Sequence, residues 1–335
     1  MNILITGGTG HVGVVLAQRL IEEGHTVRTL AFDNSPAIER LRALGVQHYH
    51  VDIRDAAALT KHFNNIELVF HLAAVISFRD NDWSSVKPVN VDGVQNIVNA
   101  CKAAGVRRMV HFSSIDAFAA NPGGPAIDES CPLVSDNYFL AYPRSKAMGQ
   151  RVVMNAMREG LDAVIIYPTS ITGPYDHMVR ASNIPMLMIA RGEMKVVLTG
   201  GLNWVDVRDL VSAAITAAQS APAGASYLVG GTYASMRDLA VLLQPITGLP
   251  VPRIEIPLGL VGVIAPFAAK WTEMRGGNSP VTISAVRGLS GYPRVSHARA
   301  ARELGYAPRP LQQTIADTYR WFADMGFLDP ARKVY

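Results

Sequence analysis

The chain has 335 residues, 49% of them hydrophobic, and a formal net charge of +4 that is spread without a basic block. That length suits one large or two modest domains with ample core. The dispersed charge leaves no patch for nucleic acid or for a polybasic membrane contact. The two cysteines, Cys101 and Cys131, show neither metal nor redox spacing and read as ordinary thiols of a reducing, cytoplasmic compartment. No signal peptide is expected, because the first strand pattern begins at Asn2. No apolar run reaches the length of a membrane span. The nearest, 256–271, is broken by Pro257, two glycines and Pro266 and reads as a buried or lid helix.

The first element is an apolar strand, Asn2–Thr6, that runs directly into glycines. Gly8-x-Gly10-x-x-Gly13 is the dinucleotide-binding spacing, and Gly7-x-x-Gly10-x-x-Gly13 overlaps it. The first glycines allow a tight strand-to-helix turn, Gly10 leaves room for a pyrophosphate against bare backbone, and Gly13 lets the helix pack closely. The helix that follows offers free N–H groups and a positive dipole end to phosphates. Its stripe of Val12, Leu16 and Leu20 faces a core, and Gly24 caps its end.

Further strand patterns follow at Thr26–Phe32, Val46–Val51, Leu68–Leu72, Arg108–Ser113 and Asp162–Tyr167. Most are too apolar for a half-exposed sheet, so both faces are expected to be covered. Helices fit between them: one opened by Ser35-Pro36 and ended by Gly45, one over Val89–Ala104, and one over Pro143–Glu159. Six strands with helical crossovers make an α/β, doubly wound parallel sheet. After Pro168 proline and glycine become frequent. Asp206–Ser220 still reads as a helix and Ser226–Val229 as a strand of the same sheet. The expected division is a cofactor-binding domain of residues 1–172 and 203–233. A smaller, discontinuous C-terminal substrate domain takes 173–202 and 234–335.

Two further groups carry chemistry. Tyr142-Pro143-Arg144-Ser145-Lys146 sets a tyrosine and a lysine four apart on one helix face. Ser113-Ser114 lies at the carboxyl end of the fifth strand, where doubly wound sheets bind ligands. The histidines show no metal spacing, and no metal is expected; His48 and His50 read as half-exposed structural residues. Met186, Met188, Met194, Trp83, Phe267 and Trp271 suit either core or the wall of an apolar pocket.

Taken together, these motifs resemble the extended short-chain dehydrogenase/reductases, the NAD-dependent epimerase/dehydratase family. The resemblance covers nearly the whole chain: the glycine loop from Thr6 to Gly13, Asp52-Ile53, Leu72-Ala73-Ala74, Asn90-Val91-Asp92-Gly93, Ser113-Ser114, Tyr142-x-x-x-Lys146, Tyr167-Pro168-Thr169, and Asn203 to Asp209. Within the family the chain is most similar to the dihydroflavonol reductase and 3β-hydroxysteroid dehydrogenase-like group. Phe112-Ser113-Ser114-Ile115-Asp116 and the tail Arg302 to Leu311 support that placement.

The resemblance implies a Rossmann fold and NAD as cofactor, with NADP open. It implies Tyr142 as general acid/base, with its high free pKa lowered by Lys146 and the oxidised nicotinamide. Lys146 also holds the nicotinamide ribose. Ser114 orients the substrate oxygen, with Ser113 as the fallback. Cofactor contacts are expected from Gly7, Thr9, Gly10, His11, Val12, Gly13, Asp33, Asp52, Ile53, Leu72, Ala73, Ala74, Asn90, Ser113, Tyr142, Lys146, Tyr167, Pro168 and Thr169. Asp33 stands for the acid on the ribose hydroxyls, two residues later than usual. Phe32 replaces the reductase group's arginine, and Arg28 points elsewhere if strand alternation holds.

Dehydratases carry an acidic pair after their catalytic hydroxyl. Here the pair is Ile115-Asp116, so Asp116 is read as a pocket residue tuning substrate choice or as a solvated loop carboxylate. The expected activity is alcohol–carbonyl oxidoreduction on a fairly apolar small molecule. A nucleotide-sugar epimerase is the alternative. It needs a cationic diphosphate clamp, for which only the scattered Arg180, Arg191, Arg253 and Arg275 are on hand. A non-catalytic NAD(P)-sensing protein is the other, and it has no need of Tyr142 and Lys146 together. A homodimer stays open.

Overall fold

The computed structural model describes every residue except 78, 80, 120–123, 180–181, 262–286, 291, 293, 330 and 332–335. The expectations for Arg180, Phe267, Trp271, Arg275 and most of the stretch 256–271 therefore fall outside the described residues.

The first half alternates strand and helix. β1 (Asn2–Thr6) leads to α1 (His11–Glu22), β2 (Thr26–Ala31) to α2 (Ala37–Ala43), and β3 (Gln47–His50) to α3 (Ala56–Thr60). β4 (Leu68–His71) is followed by α4 (Trp83–Lys87), a π-helical turn over Pro88–Gly93, and α5 (Val94–Ala104). β5 (Arg108–Phe112) precedes α6 (Ala141–Arg158), and β6 (Ala163–Pro168) ends this half. The helix read as starting at Val89 thus opens as a π turn, where the chain bends around Asn90.

Among the described residues the second half contains six short strands, of which Ser226–Val229 has the bounds read from the sequence. They are β7 (Ser170–Thr172), β8 (Val196–Leu198), β9 (Gly201–Asp206), β10 (Ser226–Val229), β11 (Thr232–Ser235) and β12 (Ile254–Ile256). Helices α7 (Asn183–Ala190), α8 (Val207–Ser220), α9 (Met236–Thr247), α10 (Ala298–Leu304) and α11 (Leu311–Asp324) pack around them.

Seven strands form one parallel sheet in the order β10-β6-β5-β4-β1-β2-β3. β4 and β6 are buried at every residue, as their unbroken apolar runs require. One face is filled by Leu16, Leu20, Val211 and Ile215 of α1 and α8, joined by Ala300 and Tyr306. The other is filled by Ile97, Val98 and Val153 of α5 and α6. A third core, around Trp204, Leu239, Ile315 and Phe322, holds α9 and α11 against β9. β11, β9 and β7 form a small sheet, and β12 pairs with β8. No helix of the described residues is long and apolar enough to cross a membrane.

The order of strands reverses direction between β1 and β4, so the crevice at their carboxyl ends is the topological switch point. Gly149 brings α6 to that crevice. A Cβ there would lie 2.1 Å from the Asn90 carbonyl oxygen, so only glycine allows the helix to press onto the π turn.

Candidate active site

The loop from β1 to α1 separates closely packed glycines from one that is less confined. A Cβ on Gly7 would lie 2.8 Å from the Ala73 nitrogen, on Gly8 2.4 Å from Thr29 Cβ, and on Gly13 2.4 Å from the Gly7 oxygen. Those three are dictated by internal packing. A Cβ on Gly10 meets nothing closer than the Gly7 oxygen at 3.3 Å. Gly10 also opens α1 without a side-chain cap, so the first N–H groups of the helix face the same space. Bare backbone, free donors and a positive dipole end fit a phosphate-bearing ligand.

The loop is tied to its surroundings. Thr9 Oγ1 donates to Asp33 Oδ1 at 2.5 Å, which brings Asp33 from the end of β2 to the glycine turn. His11 Nε2 lies 2.8 Å from the Pro174 oxygen, and Val12 is half-buried against the core. Leu72 and Ala73 follow β4 and lie against Gly7, with Ala74 next in the chain. Exposed Phe32 packs on His50 at 5.1 Å, with the Arg54 guanidinium 5.7 Å above its ring. Arg54 in turn grips Asp52 with its Nε 2.8 Å from Oδ2, and those hydrogen bonds hold the Asp52 carboxyl below the usual carboxylate range. Arg28 donates to the His62 carbonyl, away from this site.

The reactive groups meet at the end of β5. Lys146 is buried and donates from Nζ to the Phe112 oxygen at 2.8 Å; burial pulls its pKa down to about 8. Tyr142 stands one turn earlier on α6, half-buried, and hydrogen-bonds Ser114. Burial first, then the Asp116 carboxylate, pushes the phenol above its ordinary pKa, while Ser114 opposes them. Lys146 is not among the groups that shift it. Within the protein alone the tyrosine is therefore held as the protonated acid, and the expected lowering by Lys146 is corrected to that extent.

The two serines part company. Ser114 Oγ accepts the Asp116 N–H at 3.1 Å and faces Tyr142. Ser113 Oγ donates to Gln150 Oε1 at 2.8 Å inside the core, so it is corrected to a packing role. Tyr167 is also turned inward: its hydroxyl accepts from Gln150 Nε2 at 2.7 Å, and its ring packs on Phe118. The Ser113 and Tyr167 hydroxyls are thus both engaged by Gln150. Asn90 spends its amide on Val75 N at 2.8 Å, Val75 O at 2.9 Å and Ser145 Oγ at 2.9 Å, so it holds the loop after β4 to α6. Ile53 is buried beneath Gly93. Pro168 ends β6, and the buried Thr169 Oγ1 beside it has no hydrogen-bond partner.

Asp116 is not a solvated loop carboxylate. It is half-buried and donates its N–H to Ser114, and burial raises its pKa against the opposing charge of Arg287. Arg287 and Tyr292 both donate to the Phe118 oxygen at 3.2 Å. These two residues are 171 and 176 positions beyond Asp116, so no local pattern announces them. Gln150 had a readable signal, lying one turn after Lys146 on the same helix face.

The remaining expectations resolve simply. Met186 is core, Met194 packs on the third cluster, and Met188 is exposed. Trp83 carries the Arg144 guanidinium 3.9 Å above its ring. Arg191 donates to the Phe327 oxygen, and Arg253 is exposed. Among the described residues no cluster of side chains suits a metal ion.

Comparison with known proteins agrees with this geometry. The model of the NAD-dependent epimerase/dehydratase family matches residues 3–230. A Methylococcus capsulatus protein named sterol demethylase protein B is 32% identical, covering 98% of this chain and 100% of its own. A Synechocystis protein named as a dihydroflavonol 4-reductase is 30% identical, covering 97% and 95%. The crystal structure of gox2253 superposes with a TM-score of 0.84 at 28% identity, covering 97% of this chain and 98% of that one. The chain thus belongs to the NAD-dependent epimerase/dehydratase family, as an NAD(P)-dependent oxidoreductase.

Proposed function

We propose that the protein interconverts an alcohol and a ketone or aldehyde on a fairly apolar small molecule, with NAD(H) as cofactor. The observation that carries the reading is the meeting of Ser114, Tyr142 and Lys146 at one strand end, beside a glycine turn whose open side is Gly10. The names of the two relatives point toward polycyclic, apolar substrates. We place the substrate between the unit of residues 1–172 and 203–233 and the unit of 173–202 and 234–335.

The bound cofactor supplies or accepts the hydride. The residues do the rest. The N–H groups opening α1 hold the pyrophosphate, and Asp33, fixed by Thr9, takes the adenosine ribose hydroxyls. Lys146 takes the nicotinamide ribose. Ser114 donates to the substrate oxygen, and Tyr142 gives its proton to that oxygen as the carbonyl is reduced. The protonated resting tyrosine suits reduction. For oxidation, the positive charge of the oxidised nicotinamide must favour the phenolate.

The test is a screen of ketones and UDP-sugars by loss of NADH absorbance, repeated with Tyr142→Phe. That change keeps the ring and removes the proton, so turnover should fall by about 10²–10⁴-fold with little change in NADH affinity. Retained turnover in the variant removes Tyr142 from the chemistry. Interconversion of UDP-sugars, followed by analysis of the sugars because epimerisation consumes no net NADH, favours the epimerase reading.

A further inference from the structure

Ser114 has one proton and two lone pairs to share among several neighbours. One lone pair is taken by the Asp116 N–H at 3.1 Å. The Asp116 carboxyl lies next to it, with Oδ2 3.4 Å from Ser114 Oγ. Tyr142 from α6 is the third neighbour. An ionised carboxylate only accepts, so it competes with the substrate oxygen for the single serine proton. A neutral carboxyl donates, fills the remaining lone pair of Ser114 Oγ, and leaves the serine proton for the substrate.

We propose that Asp116 is a positioning residue that sets the direction of the Ser114 hydroxyl. As the neutral acid it donates to Ser114 Oγ and turns the serine proton onto the substrate oxygen. As the carboxylate it draws that proton away. The inference rests on the proposed oxidoreductase reading of the same site.

The surroundings give Asp116 both states to use. It is half-buried, and the groups facing it are Ser114 on its own turn, Tyr142 on α6, and Arg287 and Tyr292 from the C-terminal stretch. Burial favours the neutral form, while Arg287 and the Ser114 hydrogen bond favour the charged one. The local turn does not depend on the carboxyl, because the bond to Ser114 from the backbone N–H survives substitution at 116 by asparagine or alanine. A side-chain change therefore separates orientation from folding.

The experiment measures ketone reduction by NADH across pH in the wild type, Asp116→Asn, Asp116→Ala, Ser114→Ala and the double alanine variant. In the wild type kcat should fall as pH rises through the Asp116 titration. Asp116→Asn, whose amide donates at every pH, should lack that limb. Asp116→Ala should lower kcat about tenfold, the worth of one lost orienting hydrogen bond, with KM for NADH unmoved. In the Ser114→Ala background the same change should cost less than twofold, because the group it acts through is gone. A pH profile of Asp116→Asn that superimposes on the wild type overturns the proposal. So does a further tenfold loss in the double variant.

A second arm needs no substrate: titration of the phenolate absorbance, with the Tyr142 contribution assigned by its loss in Tyr142→Phe. Asp116→Asn should bring the Tyr142 phenolate to lower pH, and an unmoved titration overturns the contact. A wild type that reduces no carbonyl counts against the proposed function, and the phenolate arm then tests the Asp116–Tyr142 contact on which this inference is built.

Discussion

At the scale of single residues, what each neighbour leaves free determines what a side chain can do. The roles read for Gly10 and Gly13 differ in the structure too: a Cβ on Gly13 would lie 2.4 Å from the Gly7 carbonyl oxygen, whereas a Cβ on Gly10 would meet only that oxygen, at 3.3 Å. Gly10→Val should therefore abolish NADH binding in a fluorescence titration while moving the melting temperature little. Unchanged affinity would show that the turn does not hold the pyrophosphate. Lys146 is assigned the nicotinamide ribose, and it stands one helical turn from Tyr142, so its loss should disturb both cofactor binding and the placement of the cofactor for reaction. Lys146→Met should weaken NADH binding and lower kcat together, unlike Tyr142→Phe, which lowers kcat alone. A Lys146→Met enzyme with wild-type KM for NADH would confine the lysine to the chemistry.

At the scale of elements, the proposed preference for NAD(H) rests on the end of β2. Thr9 Oγ1 holds Asp33 at the glycine turn, and Phe32 is exposed between His50 and Arg54. A carboxylate placed there repels the extra phosphate of NADP, and Arg54 is already engaged by Asp52. NAD(H) should therefore be preferred, and Asp33→Ser or Phe32→Arg should move the ratio of kcat/KM toward NADP(H). Tighter NADPH than NADH binding by the wild type defeats this account of the loop. The same logic of engagement explains α6. Gly149 and Asn90 bring the helix against the π turn, and Gln150 ties it to Ser113 and Tyr167, so Tyr142 and Lys146 ride on a fixed element.

At the scale of the whole molecule, the sheet carries a titratable liability. His71 on β4 and His111 on β5 are buried and stack with ring centroids 5.4 Å apart. Thr6 Oγ1 lies 2.7 Å from His71 Nδ1, while His71 Nε2 and His111 Nδ1 have no partner. Burial, then the charge of Lys146, depresses His71 to about 3 and His111 well below its usual value. A histidine with a depressed folded pKa protonates first in the unfolded chain. Its contribution to stability is complete above about pH 6.5 and is lost as pH falls toward about 3. At about pH 5 the His71 contribution should be lower by roughly 2 kcal/mol than at neutral pH, and His111 acts in the same direction. Urea unfolding at about pH 7.5 and pH 5 checks this. His111→Gln should reduce the difference between the two midpoints, and an unaltered difference would place the acid lability elsewhere.

The sequence by itself determined the seven-stranded, doubly wound sheet, because fully buried parallel strands are written as apolar runs and their helices as 3.6-residue stripes between glycine stops. It also determined that a tyrosine and a lysine share a helix face, since that depends only on a spacing of four. Tertiary structure alone decided which groups face one another across distant segments. Ser113 and Ser114 are adjacent and chemically identical, and only the packing of Gln150 on one and Tyr142 on the other separates them. Asp116 reads equally as a solvated carboxylate or as a pocket residue until Arg287 and Tyr292 arrive from far along the chain. Tyr167 and Asn90 carry motif spacing, yet their hydrogen bonds are spent inside the protein. The short strands β7, β8, β11 and β12 were illegible for a related reason: three or four residues contain too little alternation to declare a strand, and their pairing partners lie outside any local window.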